Sequence, residues 1–264
     1  MNGTMLNYRL DGRGPVTVVF VHGYTLDLRM WQPQVEALVD QCRMVRYDAR
    51  GFGKSPLPPD TPYAHADDLL SLMDHLSIPS AVLVGMSMGG RTVLHAALKA
   101  PHRVLCAVVA GCLVNGTNWD TQSDNLCELL ECLALRRGLD AAKSAWLQHE
   151  LFSSLRTNPA AAAALAEIVE DYNGIHWLSQ DPHIKPTSLT VSDLQHIRVP
   201  VTAIVGQHDL AEFRHMTSLI ASYVTCAKRI VVPAVGHLVS LEAPGTVNNV
   251  IADLLINFSA SAQH

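Results

Sequence analysis

Residues 81–92 read AVLVGMSMGGRT, an apolar run that ends in Ser87, with Gly85 and Gly89 two positions away on either side and Gly90 next. A serine on a tight strand-to-helix turn has a strained backbone, and its hydroxyl stands clear of the chain. Side chains two positions away would collide across such a turn, and glycine removes the collision. Gly90 would let the following helix pack close to the sheet. The chemistry such a hydroxyl could do is nucleophilic attack. It needs a base to take its proton and a further group to fix the base's tautomer. Two later apolar runs end in suitable residues. PVTAIVG (200–206) leads into Gln207-His208-Asp209, and KRIVVPAVG (228–236) leads into His237. The order Ser87, Asp209, His237 is that of one known serine constellation.

Each of these residues also has a structural use. G-x-S-x-G is short enough to arise by chance in a Gly-rich turn. Asp209 could instead cap a helix over 211–223. His208 is adjacent, but on an extended segment its side chain points away from that of Asp209. Asp193 and Asp181 precede the penultimate strand and would need an unusual loop to reach His237.

The elements that must position these residues follow from hydrophobic patterning. Continuous apolar runs predict buried strands at 16–22, 43–49, 81–85, 103–111, 200–206 and 228–236. Amphipathic stretches between them predict helices at 29–40, 64–77, 88–100, 211–223 and 243–258. Alternation of strand and helix implies an α/β fold, a mostly parallel sheet with helices on both faces. LNYRLDG (6–12) alternates with period two and suits a more exposed antiparallel strand. Between Leu113 and Thr190 no strand pattern appears. Helical patterns recur there at 123–137, 139–153 and 158–172, the last opened by Asn158-Pro159. We therefore expect a core of 1–112 and 191–264, with 113–190 as a helical cap inserted over the strands' carboxyl ends, where such sheets bind ligands. Trp119, Trp146 and Trp177 lie in this insertion and would line the pocket or pack the cap on itself.

At this point the sequence resembles the α/β-hydrolase superfamily, in its serine carboxylesterase and enol-lactonase-like branch. The likeness spans nearly the whole chain. It comprises HGY (22–24), DARGFGKS (48–55), GMSMGG (85–90), GQHD (206–209) and GH (236–237), in order and each at a strand end. The resemblance implies Ser87 as nucleophile, His237 as general base and then acid, and Asp209 as its orienter. It also implies that the backbone N–H groups of Tyr24 and Met88 form an oxyanion hole, with Met88 opening a helix whose dipole favours negative charge. His22, Asp48, Arg50 and Ser55 are expected to shape turns. Tyr24, Met86 and Met88 are expected near the substrate.

A serine with these partners serves acyl transfer, so the expected activity is cleavage of a carboxylic ester or lactone with a small to medium apolar substrate. Haloalkane dehalogenases and epoxide hydrolases of this fold have aspartate in place of the serine. Carbon–carbon bond hydrolases often have asparagine where this chain has Met86. SMGGR (87–91) is similar to a menaquinone-pathway lyase, so that reading stays open through Arg91. A slow-turnover small-molecule receptor with a complete triad is the alternative from another class. No cofactor or metal is required by this chemistry.

Composition narrows the rest. The chain has 264 residues, 48% hydrophobic and 16% charged, enough apolar content for a large core. The formal charge of −5, with no basic cluster, argues against a nucleic-acid partner. The apolar runs are strand-sized, so no membrane span is expected. MNGTMLNYRLDGRG lacks a basic start and an apolar segment, which points to a cytoplasmic protein. None of the six cysteines forms C-x-x-C, and reduced thiols are expected. The thirteen histidines show no metal-binding spacing. The sequence does not fix the oligomeric state.

Overall fold

The computed structural model describes residues 3–58, 62–114, 118–179 and 189–261. Its strands are β1 (Tyr8–Gly12), β2 (Thr17–Val21), β3 (Arg43–Tyr47), β4 (Ala81–Met86), β5 (Val104–Ala110), β6 (Val201–Gly206) and β7 (Ala227–Val232). They form one sheet in the order β1-β3-β2-β4-β5-β6-β7. β1 runs antiparallel to β3, and every other pairing is parallel. Every residue of β4 and β6 is buried, which requires cover on both faces and explains why these strands read as unbroken apolar runs. The cover comes from α1 (Gln32–Leu38), α2 (His65–His75), α3 (Met88–Lys99), α8 (Ala211–Tyr223) and α10 (Pro244–Ser261). β7 is an edge strand and exposes Lys228 and Arg229, charges that discourage further strand pairing.

Between β5 and β6 the described residues are helical: α4 (Asn118–Arg137), α5 (Leu139–Leu147), a 3-10 segment Glu150–Thr157, α6 (Pro159–Asp171), α7 (Ile175–Leu178) and a 3-10 segment Val191–His196. The helix expected over 139–153 is broken at His149. That residue is extended, and its ring accepts the Leu151 N–H at 3.2 Å, starting a new turn. Asn158 caps α6 through its side chain, which accepts the Ala161 N–H, and Pro159 opens the helix.

The strand expected over 228–236 stops at Val232. Ala234 has a φ of 58°, so the chain turns back and is pinned to the tip of β6: Val235 C=O accepts the His208 N–H at 2.8 Å. A short helix, α9 (Val239–Glu242), follows before α10. All six cysteines are free thiols, with Cys42, Cys106 and Cys112 buried. No helix among the described residues is long and apolar enough to cross a membrane.

Candidate functional site

The strand register brings the carboxyl ends of β2, β4, β5, β6 and β7 to one edge of the sheet. Val21 lies opposite Gly85, Gly85 opposite Val109, Ala110 opposite Ile204, and Gly206 opposite Val232. Ser87 follows β4 with φ 54° and ψ −113°, a conformation that costs on the order of 1–3 kcal/mol outside glycine. It is held there by its N–H, which donates to Ala110 C=O at 2.8 Å, and by its C=O, which accepts the Arg91 N–H at 3.1 Å. The glycines are required by contact. A Cβ on Gly85 would lie 2.3 Å from Gly89 O, and one on Gly89 would lie 2.1 Å from Val21 O. A Cβ on Gly90 would meet Cys112 Cβ at 2.8 Å, so this glycine lets α3 lie against the end of β5.

Asp209 and His237 meet as their positions suggested. His237 Nδ1 lies 3.0 Å from Asp209 Oδ2 and 3.1 Å from Oδ1, and both side chains are buried. A carboxylate accepts, so Nδ1 carries a proton, and in the neutral ring the lone pair is on Nε2. Asp209 Oδ1 also accepts the Leu210 N–H at 2.8 Å, so the carboxylate is fixed from two sides. It is not the cap of α8, whose N-cap position is Leu210. The His237 ring rests on Phe213, with centroids 4.4 Å apart. Gly111, with φ 50°, lies between the His237 ring and Met86: a Cβ there would sit 2.9 Å from His237 Cε1 and 3.2 Å from Met86 Cε. The imidazole is thereby set against the tips of β4 and β5. His208 is exposed. Asp193 holds the start of its own 3-10 turn by accepting from the N–H and Oγ1 of Thr190. Asp181 lies outside the described residues.

The loop after β2 crosses the elbow. A Cβ on Gly23 would lie 3.6 Å from Ser87 Cβ. His22 shapes this loop: its Nε2 accepts the Ala49 N–H at 2.8 Å, so Nδ1 is protonated and donates to Gly23 C=O at 2.7 Å. Burial lowers its pKa and keeps it neutral. Asp48 accepts the N–H groups of Leu28 and Lys54 and the Asn7 side-chain amide. Ser55 Oγ donates to Asp48 C=O, and Arg50 forms a buried two-pronged ion pair with Asp68. The Met88 N–H is in the first turn of α3, where helical geometry provides no backbone acceptor.

Trp146 and Trp177 are both buried, and the side chain of Trp119 lies outside the described residues. Trp146 does more than pack the helical segment on itself. Its ring meets Tyr24 edge-on at 6.0 Å, and its indole N–H donates to Thr25 Oγ1 at 2.7 Å. Trp177 meets Tyr172 edge-on at 5.0 Å. Burial and the neighbouring Tyr172 hold the Tyr24 phenol well above its usual pKa, so it stays neutral.

Sequence reasoning missed several neighbours. Phe52 stacks on His176 at 4.1 Å, and Tyr24 meets both rings edge-on. Tyr172 Oη accepts the His176 backbone N–H at 3.3 Å and shares a hydrogen bond of 2.8 Å with His176 Nδ1. Glu242 brackets the histidine: its two carboxylate oxygens accept the N–H groups of Gly236 and Leu238, each at 3.0 Å. The one available signal was the position of Phe52 inside DARGFGKS.

An elbow serine and a buried Asp–His pair at the same edge of a mostly parallel sheet fit an α/β protein of hydrolase architecture. The family model described as the alpha/beta hydrolase fold matches residues 16–244, and the chain belongs to that family. It is 25% identical over 268 residues to 3-oxoadipate enol-lactonase 2 of Acinetobacter baylyi, covering 96% of this chain and 94% of that protein. It is 25% identical over 249 residues to the carboxylesterase YbfK of Bacillus subtilis, covering 90% and 80%. The crystal structure of the enol-lactonase from Burkholderia xenovorans superposes with a TM-score of 0.82 at 27% identity, covering 97% of this chain and 98% of that one.

Proposed function

We propose that this chain is a serine hydrolase that cleaves a carboxylic ester or lactone of a small to medium apolar substrate through an acyl-enzyme on Ser87. The observation that carries the reading is the buried pair in which Asp209 fixes the His237 tautomer, on the same sheet edge as a strained serine. His237 Nε2 takes the Ser87 proton as Oγ attacks the carbonyl. The alkoxide that forms accepts from the N–H groups of Tyr24 and Met88. His237 then gives the proton to the leaving alcohol, and water repeats the sequence to release the acid. Asp209 orients the ring and stabilises the imidazolium.

Residues 113–190 act as a cap on this site, over a core of 1–112 and 191–264. The aromatic cluster of Tyr24, Phe52, Trp146, Tyr172 and Trp177 supports an apolar acyl or alcohol group. Relatives named enol-lactonase and carboxylesterase support the same reaction class.

The test combines labelling with turnover. A fluorophosphonate should label the wild type at Ser87, and p-nitrophenyl esters should be turned over many times per site. Ser87→Ala should abolish labelling and lower turnover by several orders of magnitude, to the roughly 10³–10⁴-fold over water that binding and an oxyanion hole alone provide. Labelling of Ser87→Ala at the wild-type rate would refute the assignment. One covalent event per site with no further turnover would refute the enzyme in favour of a receptor.

A further inference from the structure

Thr25, next to Tyr24, has a φ of 61°. This is the left-handed region, which a β-branched side chain rarely adopts. Such a conformation persists only where its surroundings over-determine it. Two hydrogen bonds do so. Thr25 Oγ1 donates to Tyr24 C=O at 2.6 Å and accepts the indole N–H of Trp146 at 2.7 Å. The roles are fixed, because indole N–H can only donate and the hydroxyl has one proton. Thr25 and Trp146 are 1% and 5% exposed, so water competes little for either bond. Trp146 belongs to α5, 121 residues further along the chain.

These bonds hold one side of Tyr24, and His22 holds the other. Its Nδ1–H donates to Gly23 C=O at 2.7 Å, and the Leu26 N–H reaches the same oxygen at 3.2 Å. In a trans peptide the N–H points opposite to the C=O, so fixing Gly23 C=O fixes the direction of the Tyr24 N–H. The peptide that follows is fixed by Thr25 and Trp146. We propose that Thr25 and Trp146 are positioning residues that aim the Tyr24 N–H at the oxyanion, so that the helical insertion sets the geometry of the reaction as well as the shape of the pocket. This rests on the reading of Ser87 as nucleophile. Neither residue touches the reacting atoms. Each acts through the peptide it holds.

The experiment compares Thr25→Val, Thr25→Ser and Trp146→Phe with wild type, using p-nitrophenyl butyrate and a butyl trifluoromethyl ketone. Sites are counted by fluorophosphonate labelling to completion, so misfolded protein does not enter the rates. Deleting an oxyanion donor costs roughly 10²–10³ in kcat, and displacing one should cost less, roughly 10- to 100-fold. Thr25→Val and Trp146→Phe should lose that much in kcat, with KM within about threefold of wild type. They should bind the ketone more weakly by a similar factor, because its hemiketal oxygen occupies the same hole. Thr25→Ser keeps the hydroxyl and should return kcat to within about threefold of wild type. Wild-type kcat in Thr25→Val, or equal losses in Thr25→Val and Thr25→Ser, would overturn the positioning role and leave the hydrolase reading standing. A wild type that is neither labelled at Ser87 nor active on esters would overturn both.

Discussion

At the scale of single residues, His176 shows how burial sets chemistry that the sequence does not announce. It is one of thirteen histidines and sits in no motif. Burial holds its pKa down to about 4, His22 adds to the effect, and the Arg50 carbonyl opposes it. An ordinary histidine titrates near 6.5. Between those values the unfolded chain binds a proton here and the folded chain does not. Stability therefore falls as pH drops from about 6.5 toward 4 and levels off below that. Taking one histidine with these two pKa values, the loss between pH 7.5 and pH 5 is about 2 kcal/mol. His176→Phe keeps an aromatic ring over Phe52 and removes the titration. Denaturant unfolding of both proteins at the two pH values should show a drop smaller by about that amount in the variant. A residual drop is expected from His22, whose pKa is lowered by the same burial. Parallel losses in the two proteins would mean that His176 titrates normally.

At the scale of elements, the turn after β7 does the work that the sequence reading assigned to a longer strand. The apolar run continues through Val235, so nothing in hydropathy marks the reversal. The reversal is visible in the positive φ of Ala234 and in the hydrogen bonds that join Val235 to His208 and Ala234 to the Gln207 side chain. Glu242 was equally silent, because LVSLEAP reads as the start of an apolar helix. Its carboxylate satisfies the amides on both sides of His237. Its carbonyl also accepts from the Asn158 side chain, so the cap of α6 and the histidine loop share a residue. Glu242→Ala should lower kcat and reduce stability by about 2–3 kcal/mol, since two buried donors lose a charged acceptor. Glu242→Gln keeps one accepting oxygen and should fall between. Calorimetry with kcat per titrated site would show it, and an alanine variant matching wild type in both would dismiss the clamp. What the sequence did disclose was local: glycines at two-residue spacing around Ser87, and an acid and a histidine just past apolar runs. Contacts such as Trp146 with Thr25 join distant segments and leave no periodic trace.

At the scale of the whole molecule, the helical insertion is tied to the rest of the chain at separate points. Trp146 reaches the loop after β2, Asn158 reaches Glu242, and Arg29 pairs with Asp171 of α6 at 2.7 Å. The last pair is exposed and contributes little by itself. The first two are at least partly buried and lie beside the elements that carry Tyr24 and His237. An insertion held this way should select substrates by the side chains it presents. Trp177 then separates shape from geometry. It is 1% exposed, meets Tyr172 edge-on, and Tyr172 stacks over Phe52 at 5.9 Å. Trp146 donates to Thr25 Oγ1, whereas Trp177 faces the Tyr24 side chain. Trp177→Ala removes a large apolar volume and should cost about 3–5 kcal/mol of stability. It should also open room beside Tyr24. A methylene in such a pocket is worth roughly 1–3 kcal/mol of discrimination, so kcat/KM should rise for longer or bulkier acyl esters relative to acetate. Labelling of Ser87 should persist, because the strands and turns around it are outside the insertion. The measurement is kcat/KM over a p-nitrophenyl ester series from acetate to octanoate. A rise in the ratio of octanoate to acetate would place Trp177 on the pocket wall. An unchanged profile in a folded, fully labelled variant would show that Trp177 only packs the insertion, leaving selectivity to Tyr24, Met88 and Phe52.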